Sequence, residues 1–119
     1  MCESSHDDSS ANLASAEATG RIRRACEYDK VRLGASAQFH IRYWKIGSAE
    51  LQTAVTQHID GGRKIHRKYD ESGVLLEKNF HANVTIYDGK DVYVEMILTE
   101  SVLVVLNAHE HSSQTRLPQ

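Results

Sequence analysis

The apolar residues of this chain change their spacing at Gly61–Gly62, and no other sequence feature constrains the fold as tightly. Before the glycine pair, Leu51, Ala54, Val55 and Ile59 recur at intervals that place them on one face of a helix. After it, Val92, Val94, Met96 and Leu98 recur at every second position, as on one face of a strand, with Tyr93, Glu95 and Ile97 on the other. Helical period first and strand period afterwards predicts an α+β fold, with N-terminal helices packed on one face of a four- to five-stranded antiparallel meander sheet.

The stretch SAELQTAVTQHIDGG predicts a helix capped by Ser48 and ended by Gly61 in the left-handed conformation. An earlier helix is expected from near Ser10 to about Tyr28, with Ala18, Ile22, Ala25 and Cys26 on one face. Gly20 lies inside it and weakens it by about 1 kcal/mol relative to Ala. ASAQFHIRYWKIG fits two patterns: Phe39, Ile41 and Tyr43 alternate like a strand, while Phe39, Tyr43 and Ile46 suit a helix. Beyond Gly62, strands are expected in RKIHRKY, VLLEKNF, NVTIY, VYVEMIL and VLVVLNAH, separated by the turns ESG, YDGKD and TES. The last strand is apolar on both faces, which suits a central or covered position. The polar ends, residues 1–9 and 112–119, are expected to be disordered tails around a single domain at 10–111.

A chain of 119 residues, 40% of them hydrophobic, can build one core without metal or disulfide staples. Lys and Arg number 14 against 16 Asp and Glu, so any surface for a polyanion must be a local patch. The 7 histidines can make the net charge positive near pH 6. Cys2 in the polar N-terminus and Cys26 on a helix face form neither a disulfide framework nor a zinc site. No run reaches the roughly 18 apolar residues of a membrane span, and MCESSHDDSS lacks the character of a signal peptide. A cytoplasmic setting without a membrane partner is expected, in which the sequon at Asn83 reads as strand.

No Gly-rich phosphate loop, nucleophile elbow or metalloprotease motif is present, so no cofactor and no metal is expected. The basic and histidine-rich stretch is what carries chemistry. Arg63, Lys64, His66, Arg67 and Lys68 crowd the exit of the second predicted helix. On a strand, Lys64, His66 and Lys68 share one face at intervals of about 6.6–6.8 Å, close to the phosphate spacing of an extended single strand. They are the candidate RNA-binding residues, with Ile65 turned to the core. Metal-independent RNA cleavage needs a base, an acid and a cation, and His40, Arg67 and His109 are the candidate catalytic residues. Arg42, His81, Tyr87 and Tyr93 add groups of suitable type.

FHIRYWKIGSAELQTAVTQHIDGGRKI resembles the opening of small prokaryotic toxins of the barnase–EndoU–colicin–RelE superfamily, through His40, Arg42, Ile46, Ser48, Leu51, Val55 and Gly61. DVYVEMILTESVLVVLNAHEH resembles the last hairpin of its MqsR-like members. Lys45 stands where that pattern has a second Arg, and Asn107 where it has Ser. The resemblance implies an RNase toxin or a catalytically silent relative.

Two other classes stand beside it. The mild acidity and the absence of a recognised catalytic motif fit a non-enzymatic interaction module of antitoxin, immunity or adaptor type, binding a protein partner. His109 and His111, in HEH, are a pair of potential metal ligands. The doubly apolar strand 102–106 and Trp44 lead to the expectation of a homodimer.

Overall fold

The structure is a computed structural model, and it describes residues 12–86 and 89–110. The expected tails, Tyr87 and His111 lie outside the described residues. Helix α1 spans Ala16–Glu27, strand β1 Val31–Leu33, helix α2 Ala35–Trp44 and helix α3 Ser48–Asp60. Strands β2 (His66–Tyr69), β3 (Leu75–Thr85), β4 (Asp91–Leu98) and β5 (Leu103–Glu110) follow. Among the described residues, no helix is long and apolar enough to cross a membrane.

The α+β class holds, and the sheet is mixed rather than a pure antiparallel meander. Its order is β1-β5-β4-β3-β2. Strands β2 to β5 do form an antiparallel meander, but β1 joins β5 in parallel, with Val31 opposite Leu103 and Leu33 opposite Val105. Three residues are too few to display a period, which is why β1 is invisible in the sequence. Gly34 ends β1 by donating its N–H to the Val105 carbonyl at 2.8 Å, and the chain turns there into α2.

Helix boundaries follow local chemistry. The first helix of the described residues begins at Ala16, because Ser15 caps it and accepts from Ala18 N at 3.1 Å, while the expected start near Ser10 lies outside the described residues. The ambiguous segment is helix α2, ended by Lys45 at φ 57° in the left-handed region. Gly47, not Ser48, is the cap residue of α3, and its N–H donates to Glu50 Oε1 at 3.2 Å. Gly61 stays at φ −80°, while Gly62 takes φ +81°, the conformation that costs glycine little.

One sheet face carries the core. Phe80, Ala82 and Val84 of β3, Val92, Val94, Met96 and Leu98 of β4, and Leu103, Val105 and Ala108 of β5 are buried against Ile22 and Cys26 of α1 and Leu51, Ala54 and Val55 of α3. Ile65 is buried with them, as expected. His58 of α3 is 7% exposed and donates from Nε2 to the Lys64 carbonyl at 2.7 Å, which ties the helix to the entry of β2. Helix α2 packs along β5 beyond the end of β1, so its side chains reach the opposite sheet face. That face is where the histidines are.

Candidate functional site on the second sheet face

Antiparallel pairing puts His66 opposite His81, Asn83 opposite Tyr93, His81 opposite Glu95, and Tyr93 opposite His109. The side chains of His66, His81, Tyr93 and His109 form a row of rings across the sheet. Centroids are 6.1 Å apart from His66 to His81, 5.7 Å from His81 to Tyr93 and 5.3 Å from Tyr93 to His109. Helix α2 extends the row, with His40 edge-on to His109 at 5.6 Å.

A second row, purely polar, runs beside the first. Ser36 Oγ donates to Asn107 Oδ1 at 2.9 Å, and Asn107 Nδ2 donates to Glu95 Oε1 at 3.0 Å. Glu95 Oε2 lies 3.7 Å from Lys68 Nζ. The two rows share their scaffold. Ser36 and His40 are one turn apart on α2, while Asn107 and His109, Glu95 and Tyr93, and Lys68 and His66 are each two residues apart on a strand. The bulge between Glu95 and Met96 shifts the register of β5, so that Asn107 lies opposite Glu95.

Hydrogen bonds fix the tautomers of two rings in the row, His81 and His109. His81 Nε2 donates to the Arg67 carbonyl at 3.1 Å, and Nδ1 lies 2.9 Å from the Tyr93 hydroxyl. Burial, with the nearby Lys68 cation, pushes the His81 pKa below its ordinary value. Burial, with the neighbouring Glu95 charge, pushes Tyr93 up to about 12. His109 Nδ1 sits 3.1 Å from the Glu110 carbonyl. A carbonyl only accepts, so that nitrogen carries hydrogen and Nε2 is the nitrogen left for chemistry. His40 Nδ1 and Asn83 Oδ1 are buried without a hydrogen-bond partner among the described residues.

The anticipated site residues are only partly gathered. His40, His66 and His109 are members of the ring row, and Lys68 ends the polar row. Arg67 lies opposite Phe80, on the core side of its strand, and meets the row through its carbonyl alone. Lys64 precedes β2 and is exposed, so Lys64, His66 and Lys68 are not three alternating members of one strand. The bulge between Arg67 and Lys68 interrupts their spacing as well. Glu95 and Asn107 join the site without being among the residues anticipated from the sequence. The available signal was a carboxylate in the middle of VYVEMIL, where an apolar strand needs a reason to carry a charge.

No three His, Cys, Asp or Glu side chains among the described residues converge to hold a metal ion, and His111 lies outside them. A separate concavity of about 240 Å³ lies between the end of α1 and the β4–β5 turn and is lined by Arg21, Arg24, Tyr28 and Lys30. There Arg21 is already engaged, donating to the Thr99 carbonyl at 2.9 Å. In comparisons with known proteins, no family model, no curated protein and no solved structure matches the chain.

Proposed function

We propose that the protein cleaves single-stranded RNA without a metal ion, by attack of a 2′-hydroxyl on its own 3′-phosphate. The observation that carries the reading is Glu95, a carboxylate whose side chain is only 13% exposed, fixed between Asn107 and Lys68 on the face that also bears His109. Burying charge is costly unless partners offset it, and here Asn107 and Lys68 do so on the face where a base is required.

The chemistry requires a base, a cation and an acid. Glu95 takes the proton of the 2′-hydroxyl. That oxygen bonds to phosphorus as the bond from phosphorus to the 5′-oxygen breaks. The Lys68 ammonium offsets the charge that builds on the non-bridging oxygens. His109, anchored through Nδ1 by the Glu110 carbonyl, enters the step as the imidazolium, gives its Nε2 proton to the departing oxygen and ends neutral, while Glu95 ends protonated. The products are a 2′,3′-cyclic phosphate and a 5′-hydroxyl. Tyr93 and His40 pack on either side of His109 and hold its ring, so they position it without touching the reacting atoms. Arg67 has no step here, and Lys68 supplies the cation in its place. The likeness to toxins of the barnase–EndoU–colicin–RelE superfamily is part of this proposal, as is a cytoplasmic site of action.

The test is incubation of the purified protein with a defined single-stranded RNA in excess EDTA. Cleavage should leave cyclic phosphate ends, follow a bell-shaped pH profile and spare DNA of the same sequence. Glu95→Gln and His109→Ala should each slow it by about 10²-fold or more. Intact RNA after long incubation, or undiminished cleavage by the Glu95→Gln protein, would refute the reading.

A further inference from the structure

The ring row does not stop at His40. Phe39 lies 5.9 Å from His40, Tyr43 6.2 Å from Phe39, and Trp44 4.9 Å from Tyr43. The rings therefore form one continuous path from β2, across the sheet and along α2. Its character changes where it leaves the sheet. Tyr93 is 8% exposed, whereas Phe39 and Tyr43 are 64% and 65% exposed, with ring planes only 14° apart. Two large rings held parallel at the surface leave apolar faces in water. The core does not need them, because α2 buries Ala37 and Ile41 instead.

We infer that Phe39 and Tyr43 form a stacking platform for the bases of a single-stranded RNA whose backbone crosses the Lys68–Glu95–His109 face. The inference rests on the proposed function and deepens it by naming the substrate class and where its bases lie. Three observations favour this occupant. The platform is continuous with the site through the His109–His40–Phe39 contacts. The exposed Arg42 and Lys45 stand on the same helix end and supply positive charge beside the rings, as a nucleic-acid strand requires. Aromatic faces also accept any base, so such a platform fits a strand of mixed sequence. A duplex keeps its bases stacked on one another and has none to offer.

The experiment measures binding and cleavage separately. A fluorescein-labelled ten-nucleotide RNA and an abasic strand of equal length are titrated with native protein and with the Phe39→Ala/Tyr43→Ala double variant across a salt series. Both substituted side chains are largely exposed, and circular dichroism verifies that the variant folds. The double variant should bind the normal RNA roughly 10-fold or more weakly. Its salt dependence should be unchanged, because no phosphate contact is lost. The abasic strand should bind both proteins equally. Trp44 fluorescence should fall when native protein takes up RNA. Equal affinity of the two proteins for normal RNA overturns the inference, and so does the absence of RNA binding by native protein. A fall in sedimentation coefficient on substitution, with RNA affinity unchanged, assigns the surface to a second copy of the chain and also overturns it. RNA bound through the platform but left uncut sinks the proposed cleavage and leaves the platform standing. RNA cut equally well and bound equally well by both proteins does the reverse.

Discussion

Tyr93 donates its hydroxyl hydrogen to Nδ1 of His81 across 2.9 Å. The direction follows from the other side of the ring. His81 Nε2 faces the Arg67 carbonyl, which only accepts, so Nε2 holds the hydrogen. Burial and Lys68 disfavour a second proton, which leaves Nδ1 as acceptor. Both nitrogens of His81 are thus committed within the protein, and its ring acts as a strut between His66 and Tyr93 and not as a proton carrier.

Replacing His81 with Phe should preserve the ring and abandon the buried Tyr93 hydroxyl. The expected loss is about 1–3 kcal/mol, the cost of stranding a buried polar group. Adding Tyr93→Phe should cost less than the sum of the two single losses, because the stranded Tyr93 hydroxyl is then gone and only the Arg67 carbonyl has lost its imidazole donor. Urea melts of the four proteins measure this, and strict additivity would show that the hydrogen bond carries no coupling.

Acid should weaken the fold through His58 and His81. Burial lowers both pKa values from the ordinary 6.5. Below that value the unfolded chain binds protons that the folded chain refuses, so the stability from these groups is full above about pH 6.5 and declines as pH falls through the lowered values. The urea midpoint should be lower at pH 5.5 than at pH 7.5, and His58→Gln should shrink the difference. A midpoint that rises on acidification contradicts the assignment.

Leu103 is fully buried where β5 meets β1 on one side and β4 on the other. Leu103→Ala should cost about 2–5 kcal/mol, the range for a large side chain removed from a packed core. Chemical denaturation checks this, and a loss below 1 kcal/mol would mean that the surrounding strands collapse into the space.

The legible parts of this molecule are those set by a repeating pattern within one element. The α3 stripe from Leu51 to Val55 and the two faces of β4 could be read directly, because each repeats over enough positions to distinguish period 3.6 from period 2. Helix α2 could not, since its ten residues satisfy both. The site resisted for a different reason. Tyr93, Glu95, Asn107 and His109 are neighbours only through cross-strand register, and that register carries a bulge between Glu95 and Met96 that no single strand reveals. His40 was legible as a residue type, whereas its contact with His109 comes from α2 lying along β5.

The parallel pairing of Val31 with Leu103 also bears on how the protein comes into being. A ribosome delivers the chain from its N-terminus. Helix α1, strand β1 and helix α2 therefore leave it long before the strand that anchors β1 has been translated. Ser36 and His40 meet their partners Asn107 and His109 only when that final strand arrives. Whatever the second sheet face does, a growing polypeptide cannot do it before β5 has left the ribosome, however early its helices emerge.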